Sequence, residues 1–163
     1  MKRFPLPLIA AVLLVVVGLA GLVRGSGSPA TAADTVAESQ RPVVVSGAYV
    51  REPANGVNAA AYLTLYNTTD TPDVLTTAQS GAGAETTLHT DSMAESGGLS
   101  IPAHGSATLS PGKGHIMIDK LYGPLKAGQS VNIQLTFEKS GQLLLTVPVI
   151  AVTAPAPTAE APE

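Results

Sequence analysis

Three histidines, His89, His104 and His115, and three methionines, the initiator, Met93 and Met117, are the side chains of this 163-residue chain best suited to hold a soft metal ion. Four of them form two close pairs, His89-Thr-Asp-Ser-Met93 and His115-Ile-Met117. In the second pair, a spacing of two residues on a strand turns both side chains to one face, about 7 Å apart along the backbone. Imidazole nitrogen together with neutral thioether sulfur suits a soft ion of low charge, and among biological metals that is Cu(I). Mg, Ca and Mn prefer oxygen, and Zn prefers Cys or additional His. The chain has no Cys, which removes disulfides, zinc-thiolate sites, iron–sulfur clusters, thiol catalysis and the Cys-ligated blue-copper centre. Taken singly, a Met on a strand is most often core packing and a His most often an ordinary surface residue. The pairing is what favours a metal site.

These residues need a scaffold, and the body of the chain reads as short, alternating, β-branched segments. Strands are expected at 43–50, 60–66, 73–78, 85–89, 107–109, 115–121, 131–138 and 142–149. Turn chemistry separates them at Asn55-Gly56, Asn67 to Asp70, Ser96-Gly97-Gly98, Pro111 to Gly114, Ala127-Gly128 and Ser140-Gly141. No segment carries an apolar stripe at the helical period of about 3.6 residues. The fold class expected is all-β, an antiparallel Greek-key sandwich or barrel. Val131, Ile133, Leu135 and Phe137 define the buried face of one strand, with Asn132, Gln134, Thr136 and Glu138 on the other.

The length allows one ordinary domain with appendages. Lys2 and Arg3 precede an apolar run from Phe4 to Val23, followed by Arg24 and small residues. Residues 1–33 therefore read as an export signal, either cleaved near Ala30 to Ala33 or kept as an N-terminal membrane anchor, with the rest of the chain outside the cytoplasm. No Cys follows the run to accept a lipid. Residues 34–41 read as a flexible linker, 42–152 as the folded domain, and 153–163 as a disordered Pro- and Ala-rich tail. Beyond the leader, six basic residues face twelve acidic ones, which argues against a nucleic-acid partner. An enzyme is not expected: neither G-x-S-x-G nor H-E-x-x-H occurs, and no Gly-rich phosphate loop is present. Asn67-Thr-Thr69 fits the glycosylation sequon, a pattern that arises readily by chance.

From Ile101 to Val149 the sequence resembles the periplasmic CuA copper chaperones, the PCuAC domain family. The resemblance is carried by Ile101-Pro102-Ala103, Leu109-Ser-Pro111-Gly112-Lys-Gly114-His115-Ile-Met117, Pro124-Leu125-Lys-Ala-Gly128, Leu135 to Lys139 and Gly141, and extends more sparsely back to about residue 58. It implies a cupredoxin-like β fold and a copper motif of His, Met, twenty-one residues, then His-x-Met. Twenty-one residues separate Met93 from His115, so Met93, His115 and Met117 match the motif. His89 corresponds to the first His, with three residues before Met93 where the family usually has ten. Asp91 and Glu95 flank this segment as candidates to orient a His, and His104 reads as an exposed turn residue.

The resemblance further implies a carrier that binds Cu(I) through His89, Met93, His115 and Met117. It would pass the copper to an acceptor cuproprotein, the CuA centre of cytochrome c oxidase or an assembly factor serving it. The C-terminal tail has neither His nor Met, so one site is expected. A periplasmic copper buffer for resistance would use the same site, and a membrane-tethered β-sandwich binding module without metal would use the same strands.

Overall fold

The computed structural model describes residues 41–91 and 97–162. The expected signal or anchor, the linker up to residue 40, and Met93 with Glu95 lie outside the described residues. Among the described residues there are nine strands: β1 (Val43–Arg51), β2 (Ala59–Asn67), β3 (Asp73–Ser80), β4 (Gly83–Thr90), β5 (Leu99–Ile101), β6 (Ser106–Leu109), β7 (Gly114–Leu121), β8 (Ser130–Phe137) and β9 (Gly141–Ile150). The neighbour order is β4-β7-β2-β1-β9-β8-β3-β5, with β6 continuing the line of β7 along the same edge of β2. Strands β3 and β4 follow one another in the chain, and the Ser80 amide donates to Thr86 Oγ1 across the turn region. The sheet therefore curls into a nearly closed barrel.

The all-β expectation holds, with two differences. The pairing of β1 with β9, Val50 opposite Val149 and Arg51 opposite Ile150, is parallel, so the sheet is mixed. Two strands that lie far apart in sequence can meet in either direction, and alternation within each strand does not carry that information. The short strand β5 adds to the expected set, since three residues are too few to show a period. Leu99 and Ile101 are nevertheless buried against Leu75 and Asp73 of β3.

The core is aliphatic. Val50, Leu65, Leu75, Ile101, Ile116, Ile118, Ile133 and Leu135 have no exposed surface, and each such side chain contributes about 1.5–3 kcal/mol by leaving water. Strand β8 alternates as expected: Val131, Ile133, Leu135 and Phe137 point inward. In β1 the alternation is broken on purpose. A bulge between Ser46 and Tyr49, with Gly47 at φ 61°, inserts one residue against β2, so the inward position moves from Val43 and Val45 to Val50. The same shift turns Tyr49 to the outer face, opposite Tyr62.

Asp73 is the polar fastening of the opposite layer. Its carboxylate accepts hydrogen bonds from the amides of Val74 (2.8 Å), Lys139 (2.9 Å) and Ser140 (2.9 Å) and from Ser140 Oγ (2.5 Å), and so ties the start of β3 to the β8–β9 turn. Burial pushes its pKa up, but these donors outweigh that and hold it below the ordinary carboxylate value. Residues 151–162 form no strand, yet Arg51 Nη1 donates to the carbonyls of Ala151, Val152 and Ala154, and the Glu160 amide donates to Ser46 Oγ.

Candidate metal centre

Strands β4 and β7 pair antiparallel from Gly83 opposite Leu121 to Thr90 opposite Gly114. Ile116 and Ile118 of β7 are buried in the core, which forces His115 and Met117 to the outer face. The register then sets His89 directly opposite His115, and Thr87 opposite Met117. The two imidazole centroids are 5.1 Å apart at an interplanar angle of 33°. His89 is exposed, while His115 and Met117 are half-buried. Two cross-strand imidazoles at this spacing can turn a nitrogen each toward one ion, since metal–imidazole bonds are about 2 Å long. The structure thus brings three of the four expected ligands, His89, His115 and Met117, to one face.

The turn that delivers β7 to this place depends on glycine. Lys113 and Gly114 amides both donate to the Ser110 carbonyl, at 2.9 and 3.2 Å. Gly114 has φ 155°, and a Cβ there would lie 2.8 Å from the His89 carbonyl oxygen. The missing side chain lets the backbones of β4 and β7 close beside the His pair. An open hollow of about 400 Å³ results, lined by His89, Thr90, Asp91, Gly112, Gly114 and His115. Asp91 reaches this hollow, with its amide on the Lys113 carbonyl at 3.4 Å.

Electrostatics favour a neutral His115 ring. Burial lowers the pKa of His115, the neighbouring His89 lowers it further, and Asp119 opposes both. A neutral imidazole presents a lone pair to a metal, whereas an imidazolium cannot. Among the described residues no group of three or more His, Cys, Asp or Glu is placed to hold a metal ion.

Sequence reasoning missed the aromatic side of the site. Tyr62 of β2 lies 6.3 Å from the His115 ring, centroid to centroid, and Tyr49 of β1 lies 5.2 Å from Tyr62. Burial raises the Tyr62 pKa. Alternation in β2 marks Tyr62 as outward-facing, but only the β2–β7 register places it beside His115. His104 belongs elsewhere: it sits in the turn before β6 at φ 48°, with Nε2 2.7 Å from Asp70 Oδ1. The sequon residue Asn67 is 3% exposed, and its Nδ2 donates to the Thr71 carbonyl at 2.7 Å, so that nitrogen is not open to glycosylation.

Comparison with known proteins places this geometry in context. Residues 43–149 match the family model described as "Putative lipoprotein LpqE-like". A protein of Leifsonia xyli subsp. xyli with the description "Putative lipoprotein Lxx21020" is 32% identical over 149 residues, covering 86% of each chain. Among solved structures, the apo PCuAC domain from PmoF1 is 26% identical with a TM-score of 0.62, over 68% of this chain and 94% of that one. The Cu(I) form of DR1885 from Deinococcus radiodurans is 33% identical with a TM-score of 0.57, over 77% of this chain and 91% of that one. The copper-bound PCuAC domain from PmoF2 shares the fold at 22% identity and a TM-score of 0.59, over 68% of this chain and 93% of that one. With no Cys among its 163 residues, the sequence offers no thiol for lipid attachment, unlike what the family's description suggests. The chain belongs to the LpqE-like family, and its barrel has the cupredoxin-like β fold of PCuAC domains.

Proposed function

We propose that this protein is an extracytoplasmic copper carrier that binds Cu(I) through His89, His115, Met117 and Met93 and hands it to an acceptor cuproprotein. The observation that carries this reading is the cross-strand pair His89–His115 with Met117 on the same face of β7. The fold it shares with domains solved with copper supports it. Both kinds of ligand bind without being charged, so each can leave the ion without taking up a proton. Such ligands suit transfer by exchange, with the copper as cargo. The half-exposed setting on an open hollow leaves room for an incoming ligand.

The acceptor we favour is the CuA centre of cytochrome c oxidase, reached directly or through an assembly factor. Export follows from Lys2 and Arg3 ahead of the apolar run, which keep the N-terminus in the cytoplasm and carry the barrel across. Residues 4–23 would serve as the tether if the leader is retained.

A Cu(I) competition titration of the purified full chain against a chromophoric chelator, anaerobic and reducing, tests the proposal. One equivalent should bind, and His115→Ala and Met117→Ala should each reduce binding to the chelator background while the barrel stays folded. Absence of binding by the unaltered chain would overturn the carrier reading in favour of a metal-free binding module. Copper that binds tightly but never passes to a CuA-domain acceptor would leave a buffer.

A further inference from the structure

We infer that Tyr62 is a positioning residue for the His115 imidazole, the inner support of a row of rings crossing four strands; the inference rests on the copper reading above. The row begins at Arg51, whose guanidinium carbon lies 5.2 Å from the centroid of Tyr49. Tyr49 and Tyr62 are ladder partners on β1 and β2, with centroids 5.2 Å apart and a 35° tilt. Tyr62 meets His115 at 6.3 Å and 57°, and His115 meets His89 at 5.1 Å and 33°. Arg51 is itself held by the carbonyls of Ala151, Val152 and Ala154, so the far end of the row is fixed to the backbone.

The consequence lies in the two torsions of His115. On an open strand face an imidazole samples several rotamers, and binding an ion must freeze them. The Tyr62 ring occupies the side toward β2, which leaves the His115 ring the side toward β4, where His89 stands. Tilted ring pairs at such separations attract beyond simple burial. The row one step along the strands is built differently. Opposite Met117, β2 supplies Ala60 and β4 supplies Thr87. The thioether thus has small neighbours on both sides, and the imidazole has rings on both sides.

Tyr62→Phe and Tyr62→Leu in the full chain separate ring packing from the hydroxyl and from bulk. Tyr62→Phe should bind Cu(I) within about twofold of the unaltered chain. Tyr62→Leu should keep one equivalent but bind about three- to tenfold more weakly, the range expected from losing one aromatic pair. The metal-free chain gives an independent reading by proton NMR, because the Tyr62 ring current displaces the His115 ring protons. Those signals should stay in place in Tyr62→Phe and move in Tyr62→Leu. Equal affinity in Tyr62→Leu, or unmoved His115 signals, would overturn the positioning role and leave the carrier reading standing. If the unaltered chain bound no Cu(I), the carrier reading would fall and the NMR comparison would still decide the contact. Tyr62→Thr, a good strand former, provides the same test should the Leu variant fail to fold.

Discussion

His115 and His104 are the same residue type on one barrel, and their settings differ in what holds them. His104 stands in a turn, its side chain 63% exposed, against the Asp70 carboxylate, which is 97% exposed. His115 sits in a long ladder between two buried isoleucines' positions and the turn at Gly114, with Tyr62 on one side and His89 on the other. A surface ion pair of the first kind contributes little, because water competes with it and two mobile side chains must be ordered. A cross-strand pair of the second kind is fixed by the same register that buries the core. Register therefore sets ring against ring around His115, and a histidine outside a ladder stays an ordinary polar residue.

The sharpest way to break this contrast is to mutate adjacent positions of β7. Ile116→Ala should cost about 2–5 kcal/mol of stability in denaturant titration, as expected for opening a cavity in a close-packed core. His115→Ala, one residue away, should change stability by no more than about 1 kcal/mol. Equal destabilisation by both would mean that His115 is a core residue and that the two histidines do not differ as argued.

The carboxylates of one segment repeat the contrast, since Asp70 is exposed while Asp73, three residues on, is 2% exposed and takes four hydrogen bonds. A folded-state pKa held below the unfolded value stabilises the fold only while the group is ionised. The contribution of Asp73 should be complete above pH about 4, the unfolded carboxylate value, and be lost as pH falls through its lower folded value. Acid unfolding of Asp73→Asn should lack this component, and Asp70→Asn should retain it. An identical acid profile for Asp73→Asn and the unaltered chain would place the acid sensitivity elsewhere.

The smallest effect belongs to His104. His104→Ala should leave Cu(I) stoichiometry and affinity unchanged and stability within about 0.5 kcal/mol, as for other surface changes. Loss of a copper equivalent in this variant would give the chain a second site and end the distinction.

Much of this was legible in the residues themselves. Eight of the nine strands follow from alternation and turn chemistry, as in Ile116 and Ile118 against His115 and Met117. The face of Met117 relative to His115 needed no more than a period of two. Other features were not legible. The bulge at Gly47, which decides that Val50 points in and Tyr49 out, leaves only a glycine in the sequence, and glycines occur for many reasons. The parallel contact of β1 with β9 and the three-residue β5 depend on partners far along the chain.

By itself, then, the amino-acid sequence determined the strands, the aliphatic core, the exclusion of thiol chemistry and the small set of imidazoles and thioethers able to hold a soft ion, because these depend on residue type and local period. Only the tertiary structure decided that His89 stands opposite His115, that Tyr62 backs one imidazole while Ala60 faces Met117, and that Asn67 is enclosed. Each of those is a matter of register between strands, and register is chosen by how the whole core packs, a choice that no local stretch of sequence can make.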